Sequence, residues 1–298
     1  MTDPVFAQGT PSGARAGNTP PAPSPDMAVA RDLMGPNEAR VSGGAARTVA
    51  GDVTEILRAL DAALSSQSKV DPGALVPTQP VASGVLVELY TSQGCSSCPP
   101  ADALLAVLAD RPDVFPLALH VDYWDYLGWK DPFASPDYTA RQKSYARAHG
   151  SRTIYTPQMI VAGTDEITAP SAAQADDLIA KAAGALGQVQ VRMGKSEAGY
   201  RVELIAEPPL NTGAIVQIVR YAPETQVEIL HGENAGKVMD YANVVTAWHA
   251  VADWDGVKPM ALNVALDGPE PAILIVQEAI TSRNKPLPGP IRAAIRLQ

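Results

Sequence analysis

The sequence predicts a mixed α/β domain of order β-α-β-α-β-β-α, followed by an antiparallel, β-rich, sandwich-like domain. Three observations carry this prediction. A buried-strand run, VLVELY, leads into a Cys-x-x-Cys pair and an apolar-faced helix; strand and helix patterns then alternate over residues 84–186; and from Gln188 onward the apolar period becomes two. A chain of 298 residues is long enough for both domains.

Residues 1–83 are set apart by composition. Prolines at 4, 11, 20, 21, 23, 25 and 36 are interleaved with Gly, Ala, Ser and Thr, and residues 1–47 hold few large apolar side chains. Little burial is available there to offset ordering entropy, so a disordered tail is expected, serving as a linker or a partner-binding tether. Val53, Ile56, Leu57, Leu60 and Leu64 recur at helical spacing and predict a short helix near 53–64, with Asp52 or Thr54 as its cap. Residues 68–83 return to linker composition.

Residues 84–186 form the first expected domain. Val85–Tyr90 is a strand, and Thr91–Gly94 turns into Cys95-Ser96-Ser97-Cys98-Pro99-Pro100. Ala101–Asp110 follows as a helix with Leu104, Leu105 and Leu108 on its apolar face. Phe115–Val121 is the second strand, and Tyr123, Trp124, Tyr126, Trp129 and Phe133 make the next loop aromatic. A helix is expected over Asp137–His149, capped by Ser135 or Asp137, and a strand over Gln158–Val161. Glu166–Thr168 pairs back through a turn at Gly163 and Asp165, and Ser171–Ala185 is an Ala-rich helix.

Residues 187–298 form the second expected domain. Candidate strands are Val189–Met193, Tyr200–Ala206, Ala214–Tyr221, Val227–Leu230, Val244–Val251, Met260–Ala265 and Ala272–Gln277. Gly, Pro, Asn and Asp turns between short strands suggest an antiparallel sandwich or barrel.

Charge excludes some functions. The net charge is -9 and the pI is near 4.9, and the densest basic group is only Arg141, Lys143 and Arg147. Neutralising phosphates needs clustered Lys and Arg, so neither nucleic acid nor an acidic membrane is an expected partner. No apolar run approaches the ~20 residues of a membrane span. The first residues, MTDPVFAQGTPSGARAG, have no basic segment leading into an apolar run. The sequence as given therefore predicts a cytoplasmic protein, with a periplasmic or secreted location as the alternative. No Walker or dinucleotide fingerprint is present, so no cofactor is expected.

The chemistry centres on the two cysteines. A pair three apart at a helix start faces itself and closes a disulfide, but the loop it closes is too small for much entropic stabilisation. A thiolate there also feels the helix N-terminus, which lowers its pKa and favours attack on disulfides. This context supports a thiol–disulfide oxidoreductase acting on a protein or small-molecule thiol or disulfide. The spacing also fits half of a zinc site, but four ligands are usual, and His120, His149, His231 and His249 are widely spread; no metal site is expected. Two alternatives stay open: a soft-metal protein holding Cu(I) between two thiolates, and a non-catalytic interaction module.

Pro99-Pro100 disfavours helical angles at Cys98 and Pro99, so the helix is expected to start at Pro100, after the pair. Cys95 is expected to be the more exposed sulfur, with a pKa on the order of 7 to 8. Glu88 lies in an apolar strand a few residues before Cys95. It either sits buried and takes the proton from Cys98, or faces solvent at a sheet edge. Asp102 reads as a first-turn acid matched to the helix dipole, and His120 as a packed histidine. Tyr123 and Trp124 either shape a substrate groove or cover the sheet end.

LYTSQGCSSCPPADALL, HVDYWDYLGWKDPF and YTPQMIVAG resemble the signatures of a thioredoxin-like family described as a domain of unknown function, whose members are often described as secreted. The resemblance runs from about residue 84 to the C-terminus, and ILHGENAGKVMDYANVV is similar to that family's second-domain motif. It implies a thioredoxin-like domain fused to a β-rich domain. Cys95 is then the attacking nucleophile and Cys98 the resolving thiol. Pro157 is a cis-proline beside them that exposes the backbone of Thr156 to substrate. Glu88 resembles the buried acid of thioredoxins. The Trp-Cys-Gly-Pro-Cys signature of thioredoxin itself is absent.

Overall fold

A computed structural model describes residues 77–297, apart from 197–198, 267 and 283–284. The tail expected over 1–47 and the helix expected near 53–64 lie outside the described residues. In chain order the elements are β1 (Gln79–Val81), β2 (Val85–Thr91), α1 (Pro99–Ala109), β3 (Val114–His120), a 3-10 turn (Asp125–Leu127), α2 (Pro136–Ala148), β4 (Gln158–Val161), β5 (Asp165–Thr168), α3 (Ala172–Ala183), β6 (Val189–Ser196), β7 (Gly199–Ala206), β8 (Ala214–Glu228), β9 (Val238–Trp254), β10 (Met260–Val264), β11 (Ala272–Ser282) and β12 (Lys285–Leu297). Among the described residues no helix is long and apolar enough to cross a membrane.

β2 and β3 pair in parallel, and both are buried along their whole length. Continuous apolar runs of this kind need cover on both faces. α1 and α3 supply one face. They pack Ala101, Leu105, Ala175 and Ile179 on Val85, Val87 and Leu89. α2 lies on the other, where Tyr138 and Tyr145 meet Leu86, Tyr90, Leu117 and Leu119. Ser135 caps α2 by accepting from the Asp137 N–H, and Ser171 caps α3 through Gln174.

Strands from both expected domains share one sheet. Its order is β12-β11-β8-β9-β3-β2-β4-β5, and a four-stranded sheet of order β1-β6-β7-β10 accompanies it. The two halves join where β9 pairs with β3 in parallel at Ala118 and Val244. The physical reason lies in β3, whose second edge would otherwise leave buried backbone N–H and C=O groups unpaired. Pro116 leaves a carbonyl on that edge, and Asn243, held at a φ of 50°, donates its side-chain N–H to it at 2.8 Å. Residue 187 therefore marks a change of pattern but not a break in the sheet. The smaller sheet packs Val189, Val191, Val202 and Leu204 on Val216, Leu274 and Ile295 of the larger one.

Several boundaries differ from expectation. Gln79–Val81, read as linker, forms β1 against Val191–Met193 of β6. Ala214–Tyr221 and the first two residues of Val227–Leu230 fall in the single strand β8, which shifts register at Arg220/Tyr221 and ends at Glu228. β12 lies beyond the last candidate strand, and its three prolines and glycine depart from ordinary strand composition. It pairs along its length with β11.

Candidate functional site

The site begins where β2 ends. Cys95 N–H donates to Ser92 O at 3.1 Å and Cys98 N–H to Cys95 O at 3.3 Å, so successive turns carry the chain from strand to helix. These turns bring the Cα atoms of Cys95 and Cys98 to 5.5 Å, and the two sulfurs form a disulfide. Cys98 is the N-cap of α1 and has helical angles, φ −77° and ψ −33°. The expectation that the helix starts only at Pro100 is corrected. Cys98 O accepts from the N–H groups of Ala101 and Asp102 at 2.8 and 3.1 Å, and this outweighs the pre-proline preference.

Neither sulfur is on the surface. Cys95 is 2% exposed and Cys98 0%, so Cys95 is the more exposed of the two only by a small margin and both are buried. Ser96 and Ser97 between them are exposed, and the Ser97 hydroxyl lies 3.4 Å from Cys95 Sγ.

A buried polar cluster underlies the pair. Asp131 accepts from the Gln93 backbone N–H at 2.9 Å and the Phe133 N–H at 2.9 Å, and it contacts His120 Nδ1 at 2.7 Å. Burial works to raise the Asp131 pKa, but the His120 contact and the backbone N–H groups win and hold it below the usual carboxylate range. The carboxylate is therefore the acceptor and His120 Nδ1 carries the proton. The His120 ring sits edge-on between Phe133 and Tyr241, with centroids at 5.3 and 4.8 Å. Burial raises the Tyr241 pKa, and the charges of Asp102 and Asp131 add to that.

Asp102 is 3% exposed and follows Cys98 by four residues, so both side chains lie on one face of α1. Among the described residues no hydrogen bond of normal geometry reaches either carboxyl oxygen, and the same is true of His120 Nε2, Thr91 Oγ1 and Gln93 Nε2, although the Thr91 hydroxyl is near enough to Asp102 to favour its charged form. Burial pushes Asp102 up to about 6, against the pull of the His120 charge. Sequence reasoning missed Asp102 and His120 as site residues. The available signal was an acid four residues after a cysteine and a histidine ending an apolar strand.

Glu88 is buried, but not beside the cysteines. Along β2, Val85, Val87 and Leu89 face α1, while Leu86 and Tyr90 face α2; Glu88 falls on the α2 face. It accepts from Arg141 Nε at 2.6 Å, Arg141 Nη2 at 3.0 Å, Tyr145 OH at 2.6 Å and Tyr90 OH at 3.0 Å. Trp248 stacks on Arg141 at 3.9 Å. The expected proton relay at Glu88 is corrected, because the sheet separates it from α1 and Arg141 occupies its carboxylate.

Thr156-Pro157 is cis. Gln158 pairs with Tyr90, which places Pro157 beside the Thr91 end of β2. Trp124 Nε1 donates to Thr156 Oγ1 at 2.8 Å, and a Cβ on Gly94 would lie 3.0 Å from Trp124 Cβ. Tyr123 packs beside Trp124, with ring centroids 6.0 Å apart. Thr156, Tyr123 and Trp124 thus gather at the flank of the cysteine turn.

The β8–β9 hairpin also reaches the cysteine turn, through a tip within the ILHGENAGKV stretch. Asn234 Nδ2 donates to Gln93 O and to Cys95 O, each at 2.9 Å, and Lys237 Nζ donates to Asn234 Oδ1 at 2.8 Å. Trp129 Nε1 donates to Gln93 Oε1 at 2.7 Å and its ring lies 6.1 Å from that of His231. Asn234 is 2% exposed.

These features define a mixed α/β protein with a buried Cys-x-x-Cys disulfide at a strand-to-helix junction, a pair compatible with redox chemistry. The chain belongs to the family described as "Protein of unknown function (DUF1223)", whose model matches residues 86–277. A crystal structure of a protein from Agrobacterium tumefaciens is similar at 33% identity and a TM-score of 0.61, covering 73% of this chain and 95% of that one. HBP35 of Porphyromonas gingivalis is similar at 13% identity and a TM-score of 0.48, covering 72% of this chain and 74% of that one. None of the curated proteins compared matches this chain.

Proposed function

We propose that this protein is a thiol–disulfide oxidoreductase built on a thioredoxin-like β-α-β-α-β-β-α unit, whose sheet is extended by a β-rich second half. The observation that carries this is a Cys95–Cys98 disulfide at the N-cap of α1, with the buried carboxyl of Asp102, pushed up by desolvation, on the same helix face. A purely structural disulfide closing so short a loop adds little stability and requires no buried acid beside it.

In this reading an incoming thiolate attacks Cys95 Sγ, and the Cys98 thiolate leaves with the electron pair. Asp102, with a pKa of about 6, is suited to deliver a proton to Cys98 and recover it in the reverse direction. His120, oriented by Asp131, adds positive or hydrogen-bonding character beside Asp102. Thr156, Tyr123 and Trp124 line the approach, with Pro157 setting the backbone of Thr156. The substrate is a protein or small-molecule thiol or disulfide.

Free-thiol titration in defined glutathione or dithiothreitol buffers, together with insulin reduction, tests this. Cys98→Ser is expected to trap mixed disulfides at Cys95, and Cys95→Ser to trap none. A pair that never changes oxidation state across these buffers, or a reduced protein that binds Cu(I) tightly at one ion per chain without turnover, would refute it.

A further inference from the structure

We infer that Asn234 is a positioning residue of the Cys95–Cys98 pair, and that the hairpin tip carrying it restricts the pair to small-molecule thiols. This inference rests on the redox role proposed above.

The amide of Asn234 bridges two carbonyls of one turn, Gln93 O and Cys95 O, both at 2.9 Å. Those carbonyls belong to a buried segment, and an unpaired buried carbonyl is costly. Cys95 O already accepts from the Cys98 N–H; Asn234, 139 positions further along the chain, adds a second bond there and supplies the bond to Gln93 O. The tip is itself stiffened. Ile229 and Lys237 pair through the Ile229 N–H at 2.9 Å, and Gly236 N–H returns to Ile229 O at 2.7 Å. Gly232 and Gly236, at φ of 82° and 79°, make the two bends this requires. Lys237 Nζ holds the amide oxygen, so its N–H groups face the cysteine turn.

Two consequences follow. Asn234 favours the backbone arrangement of the oxidised turn, so it stabilises the disulfide relative to the dithiol. The tip also lies against the turn through Asn234, and Trp124 lies against Gly94. From Thr91 to Cys98 the exposed residues are Ser96 and Ser97. A thiol borne on a folded protein brings its own backbone to that approach and collides with the tip; a small thiol does not.

The reaction balances with two small thiolates. The first forms an S–S bond to Cys95 as the Cys95–Cys98 bond breaks, and the electron pair stays on Cys98, which then takes a proton. The second attacks the small-molecule sulfur, forming a free disulfide and releasing Cys95 as a thiolate.

The test compares wild type, Asn234→Ala and Lys237→Ala in the full chain. Each oxidised protein is reacted with dithiothreitol and with reduced thioredoxin, and each is equilibrated in dithiothreitol redox buffers. Wild type is expected to react at least about tenfold faster with dithiothreitol, after correction for thiolate fraction. Asn234→Ala should narrow that preference and raise the equilibrium constant for reduction about tenfold, or about 30 mV for a two-electron couple. Lys237→Ala leaves the amide in place and loses only its orientation; a smaller shift in the same direction is expected, and it guards against loss of fold in the first variant. If the wild-type pair cycles but a folded Asn234→Ala moves neither potential nor preference, the inference is overturned while the redox role stands. If wild type reacts as fast with thioredoxin as with dithiothreitol, the restriction to small thiols falls. A wild-type pair that never cycles overturns both.

Discussion

His120 Nδ1 lies 2.7 Å from Asp131 Oδ2, and both side chains are shut off from solvent. The same carboxylate receives the Gln93 N–H, so one acid fixes both the histidine and the backbone that leads into Cys95. Asp131→Ala would leave the buried Nδ1–H and the Gln93 N–H unpaired. A loss of about 3 kcal/mol or more is expected, read from urea unfolding at pH 7. Because the folded-state pKa of Asp131 is depressed, its stabilisation is present above the unfolded carboxylate pKa of 3.8 and fades as pH falls through the lower folded value. The wild-type advantage over Asp131→Ala should therefore shrink in strong acid.

Asp102 has the opposite sign. Its folded pKa of about 6 stands above the unfolded 3.8, so the native state binds the proton more tightly. Its contribution is most favourable below the unfolded value, falls as pH rises between 3.8 and about 6, and is lost above that. The difference is on the order of 3 kcal/mol. Asp102→Asn should therefore gain stability over wild type at pH 8 relative to pH 4, measured by urea unfolding at both. The rate at which dithiothreitol reduces the pair should lose any inflection near pH 6 in the same variant.

Arg141 is an independent control. Arg141→Ala strands the Glu88 carboxylate among Tyr90, Tyr145 and Leu86, and a loss of about 3–5 kcal/mol is expected in urea unfolding. Since this network lies on the α2 face, the alkylation rate of the reduced cysteines under native conditions should stay within about twofold of wild type. A large change in that rate would restore Glu88 to the site.

Asn243→Ala tests the seam between β3 and β9. It removes the bond to Pro116 O and puts alanine at a φ of 50°. The two effects together should cost about 2–3 kcal/mol, seen as a lower melting temperature. Asn243→Gly relieves the backbone strain but not the lost bond, so it should fall between the two.

Local pattern made much of this protein legible. The strand of Val85–Thr91, the i,i+3 cysteines, the cap at Ser135, the strand Gln158–Val161 and the position of Thr156-Pro157 are each written within a few neighbouring residues, where periodicity and turn chemistry operate. For Glu88 the sequence leaves burial and a solvent-facing sheet edge both open; the period of two places it with Leu86 and Tyr90, and only the packing of α1 and α2 on opposite faces gives it Arg141 as a partner. Asp102, His120 and Asp131 are each unremarkable alone, and 29 positions separate the first from the last. Their meaning comes from α1, β3 and the aromatic loop closing over one desolvated volume. The continuity of the sheet across residue 187 was equally hidden, since strand pairing depends on which edge stands open in the folded chain. So was Asn234, whose donors match carbonyls 139 and 141 positions away. Sequence determined the local conformations and the spacing of the cysteine pair. Tertiary structure decided which buried groups surround it, because desolvation and hydrogen bonding act between residues brought together only by folding.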